Sequence, residues 1–395
     1  MRILQVLTYY RPWISGLTIY VERLARGLAK QGHQVTVLTS QYDPALPLAE
    51  TKDGVVIVRV PVAARVSKGV VMPSFGFMAR WLMAGHDVLH MHLPQFDAAG
   101  LAINARIKSK PSLFTYHCDV FLPAGLVNRV AQPVVWGMND IAAKLADRIV
   151  AYTDDYAKHS QLLSRYLDKV TIIPPPVEIE PPTEADLIAF RQKFNLPASN
   201  LQPPTPVIGM AARLATEKGV EVLVDALEIV RKTHPTARVI FAGPYQNVLG
   251  EEAYAARLAP RFAALGDAWT FTGSLHGAEL SAFFASCDVT VLPSLNSTES
   301  FGLVQVESML CGTPSICSDL PGVRVSPQTT GMGKVVPIGN APALAAAILD
   351  VIANRPRYVH PREWVQNFYS TEKTAREYEK LYQELITRHT PNHNA

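Results

Sequence analysis

Short runs rich in β-branched residues alternate with helical stretches along almost the whole chain, and no other feature limits the fold as much. Residues 2–7, 34–39, 55–60, 88–92, 148–153 and 170–173 read as strands. Between the first two, Ile19, Val21, Leu24, Ala25 and Leu28 fall at helical spacing and Gly32 supplies a stop, so residues 18–31 read as a helix. A second series of strands is expected at 207–211, 238–242, 269–272, 288–292 and 315–317, with helices at 220–232, 278–285 and 341–353. Strand–helix alternation of this kind calls for parallel sheets covered on both faces. Residues 174–182 separate the two series and hold five prolines in nine positions, which continue neither a sheet nor a helix and read as a stiff linker. The expectation is α/β: two doubly wound domains, 1–175 and 183–355, facing each other across a cleft. A helical tail over 356–395, with its helix at 371–388, is expected to pack back across the interdomain region. Ligands of such sheets bind outside the carboxyl ends of the strands.

Composition narrows the function classes. Apolar residues make up 48% and charged residues 18% of 395, enough for buried cores and unlike a disordered chain. A net charge of +3 gives no reason to expect nucleic acid as a partner. The total conceals an asymmetry, with 19 Lys and Arg against 12 Asp and Glu in residues 1–175, and 18 against 22 in the rest. Cys118, Cys287, Cys311 and Cys317 form no C-x-x-C pair and read as reduced thiols. The N-terminus resembles a first strand rather than a signal peptide, and no apolar run is long enough to span a bilayer. A cytoplasmic protein is expected. The basic first half and the apolar segments 70–81 and 121–138 raise peripheral contact with the inner face of the membrane, beside the plainer reading of core-facing helices.

The richest stretch runs Glu299-Ser300-Phe301-Gly302-Leu303-Val304-Gln305-Val306-Glu307 and closes on Cys311-Gly312-Thr313-Pro314. It follows a strand and opens into a short helix near Gly302, whose free N–H groups and dipole suit a phosphate. Glu307 lies one turn inside, within reach of a ribose diol, and Glu299 precedes the helix, where it can meet a sugar hydroxyl. Two glutamates eight apart are common on solvated helix faces; the full string is far more specific. A second stretch, Gly209-Met210-Ala211-Ala212-Arg213-Leu214-Ala215-Thr216-Glu217-Lys218-Gly219, links strand to helix. Arg213 offers a fork and Lys218 a point charge, both fitted to a diphosphate. In the first half, Ser15 and Gly16 form a small strand-to-helix turn, and Phe114-Thr115-Tyr116-His117-Cys118-Asp119 ends a strand. His117 reads either as a core histidine or as a cleft residue, with Asp119 able to orient it or to meet an acceptor. His90 and His92 share one strand face and read as a pocket wall or a packed position rather than a metal site. Asp154-Asp155 reads as a helix cap and first-turn acid, and no D-x-D, G-x-G-x-x-G or Walker A sequence occurs.

These strings resemble the retaining glycosyltransferase family 4, whose fold is GT-B, with two Rossmann-like domains. The first stretch is similar to that family's E-x7-E motif and the second to its G-R-L-x-x-x-K-G motif. The resemblance implies a metal-independent hexosyltransferase that uses a nucleotide-diphosphate sugar as donor substrate, with no cofactor, and a glycan or lipid-linked acceptor in cell-envelope synthesis. It implies that His117 and Glu299 are catalytic beside the donor sugar. Gly16, Arg213, Lys218, Ser300, Phe301, Gly302, Leu303 and Glu307 would hold the donor, and Asp119 would face the acceptor. Three departures stand out: Ser15 replaces a glycine, Pro175-Pro176 replace an Asn-Gly, and Val325 stands where a glutamate is frequent. A sugar-nucleotide epimerase, a phosphorylase on the same scaffold and a non-catalytic nucleotide-sugar binder are the alternatives.

Overall fold

The computed structural model describes residues 1–66, 69–120, 126–196 and 205–389. The chain divides into two compact units, Met1–Pro176 with Tyr369–Ala395, and Val177–Phe368. The helical tail expected as one segment over 356–395 is therefore divided. Residues up to Phe368 belong to the second unit, and the helix Thr371–His389 belongs to the first.

In the first unit, strands β1 (Arg2–Val6), β2 (Gln34–Gln41), β3 (Ala49–Lys52), β4 (Val55–Pro61), β5 (Ala64–Val66), β6 (Gly69–Val71), β7 (Val88–Leu93), β8 (Ser112–Tyr116), β9 (Arg148–Ala151) and β10 (Val170–Ile172) follow in chain order. Eight of them form one sheet, in the order β10-β9-β8-β7-β1-β2-β4-β3. Every pairing is parallel except the edge strand β3, which runs antiparallel to β4. Strand β3 is not expected from the sequence, because Ala-Glu-Thr-Lys holds a single β-branched residue and an edge strand needs little burial. β7 and β8 are buried along their whole length, as central strands covered on both faces must be. The helix Gly16–Lys30 turns Tyr20, Val21, Leu24, Ala25 and Leu28 inward. Gly27 on that helix lets the helix Thr371–His389 approach closely, since a Cβ there would lie 3.0 Å from Thr371 Cγ2 and 3.2 Å from Ala375 Cβ.

The second unit contains β11 (Val207–Ala211), β12 (Arg238–Ala242), β13 (Trp269–Gly273), β14 (Val289–Leu292), β15 (Ser315–Ser318) and β16 (Gly333–Val336). They form one all-parallel sheet ordered β13-β12-β11-β14-β15-β16. Strand order reverses between β11 and β14, and the carboxyl end of that junction is where doubly wound sheets bind ligands. Helices Val220–Thr233 and Ala341–Ala353 pack a core of Leu223, Leu227, Leu344 and Ile348 against this sheet. The proline-rich stretch 174–182 carries neither helix nor strand. Of the apolar segment 121–138, residues 121–125 lie outside the described residues, and the remainder belongs to the helix Leu126–Leu145. Among the described residues no helix is long and apolar enough to cross a membrane.

Candidate active site

The two motif stretches of the second unit leave the two strands at its switch point, one from β11 and one from β14. Lys218 Nζ lies 2.5 Å from Glu299 Oε2, an ion pair between residues 81 apart in sequence that ties one stretch to the other. Backbone contact reinforces it, as the Leu295 amide donates to the Glu217 carbonyl. Both side chains of the pair keep some exposure, so its worth is mainly positional. Arg213 pairs with Glu217 four residues on, at 2.6 Å.

Two glycines make this loop pair possible. Gly219 has φ +63, and a Cβ there would fall 2.2 Å from the Pro293 carbonyl oxygen. Gly302 has φ +78, and a Cβ would fall 2.4 Å from Leu292 Cδ2. Only glycine tolerates such positions without strain. Gly302 caps the helix Leu303–Leu310, whose first amides lie at the carboxyl end of β14. The buried Gln305 side chain holds the turn by donating to the carbonyls of Phe301 and Val323. A single glutamine within a helix carries no distinguishing signal, so this role of Gln305 is visible only in the structure. Thr216 is latched by Glu251, which accepts from both its amide and its hydroxyl. Ser300, Phe301 and Glu307 are buried, with Glu307 only 4% exposed. Phe301 thus anchors the loop with its buried ring, and its carbonyl is taken by Gln305.

In the first unit, Ser15 caps the helix Gly16–Lys30 and forms a reciprocal capping box with Thr18. That role gives the serine a purpose where a glycine was expected. Gly16 opens the helix, and a Cβ there would meet nothing within 4 Å. His117 follows β8 and is almost fully buried. Its Nδ1 is hydrogen-bonded to the Tyr152 hydroxyl and its Nε2 lies 3.1 Å from His92 Nδ1. Burial drives its pKa down to about 3, so the ring is neutral at physiological pH. Asp119 does not appear among these ring partners. Its carboxylate accepts from the hydroxyls of Tyr116 and Ser160 and from the Gln161 amide. His90 and His92 do share one strand face, with ring centroids 4.2 Å apart. Among the described residues no group of three or more His, Cys, Asp and Glu is placed to hold a metal. Thr153, not Asp154, caps the helix Asp154–His159, and the two aspartates fill its first turn.

Two doubly wound parallel units, the second built in Rossmann strand order, are the architecture of the GT-B glycosyltransferases. Known proteins agree. Residues 192–369 match the family described as glycosyl transferases group 1, and residues 14–181 match Glycosyltransferase Family 4. A D-inositol 3-phosphate glycosyltransferase of Stackebrandtia nassauensis is 29% identical, over 87% of this chain and 80% of its own. A phosphatidyl-myo-inositol mannosyltransferase of Mycobacterium leprae is 28% identical over 98% of both. Among solved structures, Anabaena HepE in complex with UDP-glucose superposes with a TM-score of 0.76 at 16% identity, covering 97% of this chain and 100% of its own. The chain belongs to glycosyltransferase family 4, with the GT-B fold.

Proposed function

We propose that this glycosyltransferase moves a hexose from a nucleoside-diphosphate sugar to an acceptor hydroxyl with retention of anomeric configuration. The observation that carries the reading is the Lys218–Glu299 pair beside the start of the helix Leu303–Leu310, at the switch point of the second unit. As the sugar–oxygen bond breaks, negative charge grows on the departing diphosphate. Lys218, Arg213 and the amides following Gly302 are fixed donors that stabilise that charge without reorganising. The scheme assigns the leaving-group charge to these cations and amides and calls on no metal. Glu299, held by Lys218, supports the positive charge developing at the anomeric carbon. Glu307 is assigned to the ribose diol, and the family resemblance assigns the neutral His117 to the donor sugar. The departing phosphate accepts the acceptor's proton on the same face. HepE, a structural neighbour, is described in complex with UDP-glucose, which supports a donor of this class.

The acceptor is read as anionic or lipid-linked, met at the inner face of the membrane in cell-envelope synthesis. Support comes from the Lys and Arg excess of residues 1–175 and from the helix Phe75–Gly85, which exposes Phe77 (74%) and Trp81 (65%) one turn apart. The two relatives named for inositol 3-phosphate and phosphatidyl-inositol substrates point the same way.

A panel of UDP-, GDP- and ADP-sugars in a thermal-shift assay, followed by product analysis, tests the donor half. A stabilising donor, free nucleoside diphosphate and a glycoside of unchanged anomeric configuration are expected. An epimerised donor, or inversion at the anomeric carbon, would sink the reading. Co-sedimentation with anionic vesicles tests the acceptor half, which fails if no binding is seen at low salt.

A further inference from the structure

Three aromatic rings gather at the carboxyl ends of β1 and β2, and no part of the proposed reaction uses them. Tyr9 and Trp13 follow β1, and Tyr42 follows β2. The Tyr9 and Trp13 rings stack with centroids 4.9 Å apart and planes at 24°. Tyr42 closes the group, tilted against Tyr9 at 5.8 Å and edge-on to Trp13 at 5.6 Å. Tyr9 roots the group by packing against the core of the first unit. Trp13 keeps 44% of its surface open.

The segment that carries the rings is firmly held. The buried Arg59 guanidinium donates to the Arg11 carbonyl and pairs with Glu50, while Arg11 pairs with Glu22. The Trp13 amide donates to the Tyr10 carbonyl, and the Thr8 carbonyl accepts from the hydroxyls of Thr39 and Ser40 on β2. The rings are therefore in place before a ligand arrives, which lowers the ordering cost of binding. Arg65 differs from the other two arginines. It is exposed, donates to the Tyr42 carbonyl and meets no carboxylate among the described residues. A cation without a counter-charge thus borders the rings.

An open aromatic face takes a flat apolar surface, and a neighbouring guanidinium takes an anion attached to it. A cyclic polyol phosphate has both parts: a face of C–H groups and a charged substituent. A nucleobase also stacks, but the groups suited to a nucleotide lie in the second unit, at Arg213, Lys218 and Glu307. His117 follows β8, which lies two strands from β1 and three from β2. At about 4.8 Å per strand the ends of β1 and β2 stand about 10–15 Å from it along one sheet edge. An acceptor head group can span that distance.

We propose that Trp13, backed by Tyr9 and Tyr42, is the platform on which the acceptor's ring stacks, and that Arg65 takes the ring's anionic substituent. The ligand class is a cyclic polyol phosphate. The inference rests on the reading of the acceptor as anionic or lipid-linked.

Isothermal titration calorimetry on the full chain tests it, with myo-inositol 1-phosphate, glucose 6-phosphate, myo-inositol, inorganic phosphate and UMP as probes. A ring phosphate should bind more tightly than inorganic phosphate or myo-inositol. Trp13→Ala should weaken it about tenfold or more, and Trp13→Phe by about threefold at most. Arg65→Gln should also weaken it about tenfold. Both side chains are exposed, so all three variants should melt as the parent does. Vesicles of phosphatidylinositol, compared with phosphatidylglycerol vesicles of equal charge, separate the sources. Excess binding that Trp13→Ala abolishes assigns a lipid head group, and binding confined to the soluble ring phosphates assigns a free one. The proposal is overturned if a ring phosphate binds neither free nor in vesicles, or binds folded Trp13→Ala as it binds the parent. It also fails if inorganic phosphate binds as tightly, or if UMP is the probe that Trp13→Ala weakens. Thermal shift by nucleotide-sugars, read on the same samples, keeps the readings apart: a donor shift without ring-phosphate binding removes the platform alone, and the reverse removes the donor reading alone.

Discussion

Lys218 and Glu299 are each unremarkable in isolation, a lysine before a helix and a glutamate in a loop. Their meeting at 2.5 Å gives both a defined position at the end of the sheet. Because the pair is partly exposed, breaking it should cost little stability, about 1 kcal/mol or less. Its loss should instead appear in the reaction. For Lys218→Ala we expect donor kcat/KM to fall by about 10²–10³-fold with a nearly unchanged melting temperature. An unaltered kcat/KM would remove Lys218 from the donor site. The three buried histidines make a second prediction at this scale. His90, His92 and His117 are held neutral by burial, with pKa values below 6.5 in the folded chain, about 3 for His117. Below pH 6.5 the unfolded chain takes up protons that the folded chain refuses, so stability falls as pH falls. Each histidine contributes a slope of up to about 1.4 kcal/mol per pH unit in that window. Urea midpoints should drop between pH 7 and pH 5, and a flat profile would contradict neutral burial.

At the scale of elements, the two candidate ligand-facing helix starts differ in a way that substitution can expose. Gly302 is left-handed and crowded, so Gly302→Ala should destabilise the second unit by about 1–3 kcal/mol and weaken donor binding together with it. Gly16 already lies within a helix with open space around it. Gly16→Ala should leave stability unchanged or raise it by about 0.5 kcal/mol. A fall in donor affinity in Gly16→Ala, at full stability, would report a ligand approaching that turn; unchanged affinity would exclude Gly16 from donor contact. Thermal shift with and without donor reads both variants.

For the whole molecule, the chain path matters more than the two sheets taken separately. The second unit is one continuous segment, Val177–Phe368, whereas the first is completed by the helix Thr371–His389. A fragment of residues 177–368 should therefore unfold cooperatively by itself. Residues 1–176 alone would lose the hydrogen bonds of Tyr20 to Tyr378 and of His90 to Tyr382, and would uncover the Gly27 face of the helix Gly16–Lys30. That fragment should be poorly soluble or molten by near-UV circular dichroism, and adding residues 369–389 as a peptide should restore order. A stable, well-ordered 1–176 would refute the dependence.

The amino-acid sequence alone determined the two α/β series, the proline stretch between them and the motif residues from Arg213 to Lys218 and from Glu299 to Glu307. Those signals are local: strand and helix periodicities, turn glycines and short strings survive in one dimension. Strand β3 and Gln305 were not legible, since an edge strand and a glutamine in the first turn of a helix differ from their surroundings only in what they touch. The sequence also left His117 open between core and cleft. Tertiary structure decided that its ring is buried and hydrogen-bonded to Tyr152 and His92, residues 35 and 25 positions away. It likewise decided that the last helix completes the first unit. Both outcomes depend on which distant surfaces bury each other, and no pattern read along a single segment encodes that choice.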